Sequence, residues 1–318
     1  MQSFLHSKFL HNLHYKLHIK DNYSLLLAIS CGQDSLCLLK LFADLKQHLK
    51  VSFAIIHIDH QWRQDATDNT KHIINMAHYL KFPLHLHQLN PKQYSEAEFR
   101  DMRYQIYIRI AQQYSYNAIA TAHTGSDITE TCLINMVKGC NIDSFNNLHW
   151  QRQINHKIKL IRPLLNFTRS EINWFCKYYR LPIWFDYTNI YYTCNRNRIR
   201  HELIPYLKQY YSTDIEKNIN IFVTKTYYDT EYLRQTTVKV YLLIKHPYYV
   251  AFNYKKLLSQ HKCMQIRVLN IFFKYNTKTQ LNDILLHQIL NELNKKKEIR
   301  KLYKKIQFNT FGDWAYII

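Results

Sequence analysis

The sequence predicts a doubly wound α/β domain with a mostly parallel sheet, followed by a smaller, mainly helical domain. Three observations predict it. Short apolar runs at residues 25–29, 51–58 and 117–122 each end in a polar cluster and lead into an amphipathic stretch, which is the order strand, loop, helix. The runs are continuous rather than alternating, as in strands covered on both faces. The chain has 318 residues, enough for two cores, and its composition shifts after Pro205. We therefore expect domains at residues 1–208 and 209–318.

The elements follow in order. Over residues 1–20, Leu and Phe alternate with His and Lys. The stretch has no apolar h-region and no small-residue cleavage site, so no secretory signal is expected. It is basic and amphipathic, compatible with an organelle transit peptide; the simpler reading is a first helix carrying Phe4, Leu5, Phe9, Leu13 and Leu17. Residues 25–29 (LLLAI) read as a buried strand, stopped by Ser30-Cys31-Gly32-Gln33-Asp34-Ser35. Leu36, Leu38, Leu39 and Leu41 then mark a helix, with Asp34 as the expected N-cap. Such a loop turns several backbone N–H groups and the positive helix end into one concavity, a site for a phosphate. It is neither a Walker A loop nor a dinucleotide fingerprint, and an ordinary βα turn competes for these residues alone.

Residues 51–58 read as the second strand, ending in His57-Ile58-Asp59-His60 and followed by Gln61-Trp62-Arg63. Ligand-binding residues of open α/β sheets sit at such carboxyl ends. A helix is expected over 65–82. A weak strand over 84–89 is expected to show His85 and His87 to solvent, not to hold a metal. A long helix over 95–114 takes Ser95 as N-cap, and Glu96, Arg100, Arg103 and Tyr107 share one of its faces. That face is either a salt-bridged surface or one that aims arginines at a triphosphate or at RNA. Residues 117–122 end in His123-Thr124-Gly125-Ser126-Asp127, and a helix over 128–137 carries Asp127 and Glu130 in its first turn and stops at Lys138-Gly139-Cys140.

A strand near 158–162 and a short helix from Thr168 to Tyr179 come next. Arg196, Arg198 and Arg200 place three arginines in five residues near aromatics, either a phosphate-binding element or a solvated basic face. Helix patterns near 257–274 and 280–293, a basic run from Lys295 to Lys305 and a short strand pair over 306–318 complete the chain.

Composition narrows the partners. The net charge of +20 and pI near 9.5 favour a polyanion, nucleic acid first. No run of 18 apolar residues exists, which argues against membrane attachment. Seven cysteines, an odd number without a CxxC pair, argue for a reducing compartment and against a zinc site or iron–sulfur cluster. The bias toward Lys, Asn, Ile and Tyr (26 Tyr) is that of an AT-rich genome, such as an organelle or a symbiont. Only four glycines occur, three of them inside these motifs, so each is expected to mark backbone that resists a side chain.

Taken together and in order, the motifs resemble the tRNA(Ile)-lysidine synthetase family of the PP-loop ATP pyrophosphatases. Ser30 to Ser35 is similar to the SGGxDS loop, with Cys31 in place of the first glycine; if that position needs positive φ, the cysteine costs on the order of 1 kcal/mol. His57 to Arg63 is similar to an HxDHxLR block, with Trp62 for the leucine. Glu96 to Tyr104 resembles a helix block with Phe99 for a small residue. Ala122 to Thr131 resembles AHxxDxxET, Arg162 to Leu165 is RPLL, and Asp186 to Arg200 resembles a D.SN…R.R.R block with Thr188 for serine. The match spans about residues 20–206; beyond it only size and basic character agree.

The resemblance implies a PP-loop (adenine nucleotide α-hydrolase-like) fold. It also implies adenylation by ATP of the wobble cytidine of a CAU anticodon, then attack by the amine of free L-lysine, with release of AMP. On that basis Ser30, Cys31, Gly32, Gln33, Asp34, Ser35, His57 and His123 are expected to bind ATP, with Asp34 holding Mg²⁺. Asp34, Asp127, Glu130, Arg100 and Arg103 are the expected catalytic set; Asp59, His60, Arg63, Arg196, Arg198 and Arg200 are expected to contact tRNA or lysine. Trp62 or Tyr104 is expected to stack on a flipped base. Expected partners are tRNA(Ile) and L-lysine, no membrane, and a homodimer; the expected compartment is the plastid, otherwise the cytoplasm. The alternatives are a PP-loop tRNA thiolase, a small-molecule PP-loop synthetase and a catalytically inactive RNA-binding module.

Overall fold

Leucines 25, 26 and 27 are all fully buried, and the reason is their place in a sheet covered on both sides. The computed structural model describes residues 3–59, 61, 66–90, 96–146, 148–184, 195–279, 281–295, 299–303 and 306–318, with backbone alone at 96–97. The chain divides into two compact units, residues 1–224 and 225–318.

In the first unit, α1 (Phe4–His11) and a π-helical turn precede β1 (Ser24–Ala28), α2 (Gln33–Leu45), β2 (Ser52–Asp59) and α3 (Ala66–Leu80). Then come β3 (Leu84–Gln88), α4 (Glu96–Gln113), β4 (Ala118–Ala120), α5 (Gly125–Val137), β5 (Gln151–Gln153), β6 (Lys159–Ile161) and α6 (Arg169–Tyr178). The sheet order is β3-β2-β1-β4-β6-β5, with β5 antiparallel at one edge and the rest parallel. Leu25 and Leu27 face a core shared with α1, α2 and α6; Leu26 faces a second core with Ile106 and Ala111 of α4. This two-sided burial is the doubly wound arrangement the apolar runs predicted. After β1 the chain builds outward through β2 and β3 and then returns to place β4 on the other side of β1. The loops leaving β1 and β4 therefore part, and open α/β sheets bind ligands at that crevice.

Several local expectations are corrected. The N-cap of α2 is Gly32, not Asp34: Gly32 is extended at φ −70°, and the Ser35 hydroxyl donates to its carbonyl at 2.9 Å. Asp34 instead lies in the first turn. Helix α5 starts three residues early, at Gly125, because Thr124 caps it and Asp127 returns the bond to the Thr124 N–H at 2.8 Å. On the edge strand β3, Leu86 and Gln88 are exposed, while His85 and His87 are half-buried, His85 against Tyr114 and bonded to the Tyr116 hydroxyl. In α1, Leu5 and Phe9 are buried as expected, but Phe4 lies outside against Trp174. Gly139 closes α5 as expected: it takes positive φ, its N–H bonds Met136, and the Cys140 N–H bonds Asn135, the Schellman pattern.

The first unit continues with α7 (Asn195–Arg198) and α8 (Ile204–Tyr210), and α9 (Ile215–Ile244) crosses the division. The second unit holds β7 (Ala251–Asn253), α10 (Tyr254–Leu258), α11 (Lys262–Thr277), α12 (Asp283–Asn294), β8 (Arg300–Tyr303), β9 (Ile306–Phe311) and β10 (Trp314–Ile317). It is mainly helical, as expected. The expected strand pair is part of a four-stranded antiparallel sheet, β7-β10-β9-β8. The helix expected near 257–274 is two helices, because His261 caps a new start through the Cys263 N–H. Phe252, Phe272, Phe273 and Phe308 centre a core of its own.

Candidate active site

The site is built where β1 and β4 end. Cys31 takes φ +63°, so the left-handed conformation the glycine position implied is present and carried by a cysteine. Its side chain is fully buried and its carbonyl accepts the Trp184 N–H at 3.1 Å. Burial pushes the thiol up to about 12, so it packs as a neutral group and is no nucleophile at neutral pH. The loop is closed internally: the Ser30 hydroxyl and N–H each lie 3.3 Å from the Ser35 hydroxyl. No side chain caps the first turn of α2, which leaves the N–H groups of Gln33, Asp34 and Ser35 for a ligand. The Gln33 amide nitrogen is buried without a partner among the described residues, a donor lacking its acceptor.

This loop forms one wall of a cavity of about 500 Å³. Helix α4 supplies Arg100, Arg103, Tyr104 and Tyr107; the end of β4 and start of α5 supply His123 and Asp127; Arg169, Trp184, Arg200 and His201 complete it. Burial pushes the Asp34 carboxyl up to about 6, and the nearby Asp127 adds to that. Desolvation pushes the Asp127 carboxyl up, yet Arg196, the Thr124 N–H and Arg200 together hold it below the usual range. Burial lowers His123 to about 3, with Arg162, Arg100 and Arg196 adding to the effect, so this imidazole is neutral and bonds the Thr121 hydroxyl at 2.9 Å. Four guanidiniums and two carboxylates make the wall cationic, which suits a polyphosphate.

The remaining candidates sort by position. Glu130 is 1% exposed and lies outside the cavity wall: Arg196 Nε donates to it at 2.7 Å, Arg200 Nε at 2.6 Å and Arg200 Nη2 at 2.9 Å. Arg196 also bonds Asp127 at 2.7 Å. Arg198 faces solvent and pairs with Glu202 at 3.2 Å. His57 is buried and bonds the Ile29 carbonyl at 2.8 Å, bracing the strand that leads into the loop; burial lowers its pKa. Asp59 accepts the Gln61 N–H at 2.9 Å, away from the cavity. His60, Trp62, Arg63, the Glu96 side chain, Ser95 and Asp186 to Asn189 lie outside the described residues. Sequence reasoning missed Arg169, Trp184 and His201 in the wall. Arg169 directly follows the Thr168 cap, and nothing in the local pattern separates it from a surface arginine.

Residues 4–207 match the PP-loop domain family. The chain is 41% identical to the chloroplastic tRNA(Ile)-lysidine synthase of Gracilaria tenuistipitata var. liui, covering 99% of both chains. It is 35% identical to that of Pyropia yezoensis, covering 99% of this chain and 96% of that one. A tRNA(Ile)-lysidine synthase of Nostoc sp. is 40% identical over 73% of this chain and 68% of its own. A U34-tRNA thiolase from Methanococcus maripaludis shares the fold, with a TM-score of 0.58 at 14% identity over 69% of this chain and 77% of that one. The fold is thus that of PP-loop proteins. Within that class, the chain belongs to the tRNA(Ile)-lysidine synthase family.

Proposed function

We propose that this chain joins L-lysine to the wobble cytidine of a CAU-anticodon tRNA(Ile), spending ATP to AMP and diphosphate through an adenylated cytidine. The observation that carries the reading is one cavity: the uncapped loop, Asp34, Asp127, neutral His123 and Arg100 and Arg103 line it together, in a chain alike end to end to a tRNA(Ile)-lysidine synthase.

The first-turn N–H groups and the Gln33 amide suit the β and γ phosphates, and Arg100, Arg103 and Arg169 suit the charge that develops as diphosphate leaves. The acidic donors fit Mg²⁺, because burial leaves a costly carboxyl at Asp34 with Asp127 beside it, and this ion needs only one or two carboxylates besides phosphate oxygens and water. Bound there through Asp34, the ion would neutralise phosphate charge. Asp127, ionised at neutral pH, is the group to hold the lysine ammonium or take its proton before attack. Glu130 acts through Arg196 and Arg200, fixing them against Asp127. His123 contacts substrate as a neutral imidazole. The basic second unit is the natural holder of the rest of the tRNA.

The relatives from Gracilaria, Pyropia and Cyanidium are chloroplastic enzymes, which supports the plastid as the compartment. Among the described residues no helix is long and apolar enough to cross a membrane. A homodimer belongs to the same reading and is checked by sedimentation.

The test is incorporation of labelled lysine into a CAU-anticodon tRNA(Ile) transcript with ATP and Mg²⁺, beside Asp34→Ala. Lysine-dependent labelling that the variant loses is the expected result. Tight tRNA binding without ATP–pyrophosphate exchange would overturn it in favour of an inactive RNA-binding module.

A further inference from the structure

Arg162 opens the RPLL segment, and the cavity described above makes no use of it. Its side chain is 3% exposed. One nitrogen, Nη1, donates to the His149 carbonyl at 2.6 Å, and the guanidinium also meets the Tyr104 hydroxyl. Its Nε is buried with no acceptor among the described residues. Among the described residues no carboxylate pairs with it. A buried guanidinium without a counter-ion is costly, so its retention calls for an anion that arrives from outside.

Arg162 lines a second cavity, of about 650 Å³. Arg100 and Arg152 stand in the same wall, also without a paired carboxylate among the described residues, and the acidic group there is Asp101. Arg196 reaches this wall too, but Asp127 and Glu130 already engage it. Three guanidiniums without a paired carboxylate among the described residues, around one space, match the planar, bidentate recognition of phosphate oxygens. Ile108, Leu148, Ile154 and Leu160 add apolar surface, which suits a nucleoside beside the phosphate. The two cavities share Arg100, Tyr104 and His123 as a common wall.

We propose that this second cavity is a phosphate subsite for the RNA substrate: Arg162 and Arg152 hold a phosphodiester flanking the wobble cytidine, with Arg100 in the wall shared with the ATP cavity, while the base reaches that cavity past Tyr104 and His123. The inference rests on the lysidine reading. The same chemistry would also take the diphosphate product, and the experiment separates the two sources.

The experiment measures binding of the CAU-anticodon tRNA(Ile) transcript over a salt series, for wild type, Arg152→Gln and Arg162→Lys. It includes transcripts with a methylphosphonate at either phosphate flanking the wobble cytidine. Arg152 is exposed on the edge strand β5, so its variant is expected to fold. Arg152→Gln should weaken tRNA binding roughly 10-fold and flatten the salt slope by about 1. One methylphosphonate should cost wild type the same factor and cost the variant nothing more. ATP affinity and inhibition by added pyrophosphate should stay at the wild-type values. Arg162→Lys, which keeps the charge and loses the fork, should give a similar loss. Weakened pyrophosphate inhibition with unchanged tRNA binding would overturn the RNA assignment in favour of the product. No change in either would overturn the subsite. Wild type that binds ATP but no tRNA would sink the lysidine reading itself, and this proposal with it.

Discussion

Replacing Glu130 by Gln is the sharpest perturbation of the first unit. Glu130 and Glu202 both accept an arginine from the same short segment, but their settings differ. Glu130 is 1% exposed and takes three guanidinium N–H groups between 2.6 and 2.9 Å; Glu202 is 49% exposed and takes one at 3.2 Å. Glutamine keeps the volume but turns one acceptor into a donor that faces an arginine, and it leaves Asp127 alone against two guanidiniums. Breaking a buried pair costs about 3–5 kcal/mol. Because Arg196 and Arg200 keep 27% and 19% exposure, water screens part of this, and we expect the lower end, about 3 kcal/mol. For a unit of 224 residues that lowers the melting temperature by about 6–12 °C. Glu202→Gln should cost under about 0.5 kcal/mol. Urea and thermal unfolding followed by circular dichroism read both. A Glu130→Gln protein within about 1 kcal/mol of wild type would refute the reasoning, because it would mean that the arginines lose nothing by turning to water.

Two further outcomes follow from the site's electrostatics. The Asp34 carboxyl is raised from 3.8 to about 6, so the folded state binds its proton more tightly than the unfolded chain, and the buried carboxylate destabilises at high pH. Asp34→Asn should therefore be more stable than wild type at pH 8, by at most about 3 kcal/mol, with the difference shrinking below pH 6 and gone below about pH 4; an equal or lower urea midpoint for the variant at pH 8 would count against this. Iodoacetamide at pH 8 should label the half-buried Cys140 and Cys263 well before Cys31, whose thiol is buried and raised to about 12; stoichiometric modification of Cys31 in the folded protein, read by peptide mass, would contradict its packing role.

What the sequence determined by itself is local. A continuous apolar run followed by a polar hexapeptide and a leucine-rich stretch can only be satisfied as buried strand, loop and helix, so the strand, the loop at Ser30 to Ser35 and the helix after it were legible in order. The glycine closing α5 was legible because a left-handed residue after a helix favours glycine, although Lys81, Ser115, Arg180 and Lys278 take the same conformation after other helices without one. The N-cap of α2 was misread because Asp34 satisfies the usual preference, while the Ser35 hydroxyl bonded to the Gly32 carbonyl sets the start two residues earlier.

What only the tertiary structure decided is which charges meet. Arg196 and Arg200 lie 66 and 70 residues from Glu130, and spacing within one helix says nothing about partners that distant. Read along the chain, Glu130 and the arginines were equally good ligands for substrate; packed together, Glu130 is consumed and Asp127 and Arg200 are left facing the cavity. The same holds for Arg162, an arginine in an apolar segment whose lack of a paired carboxylate among the described residues shows only once β6 is buried. Local pattern fixes backbone geometry because its bonds span three or four residues. The charge state and partners of a side chain depend on desolvation by elements far away in sequence, and only the assembled sheet and helices supply that.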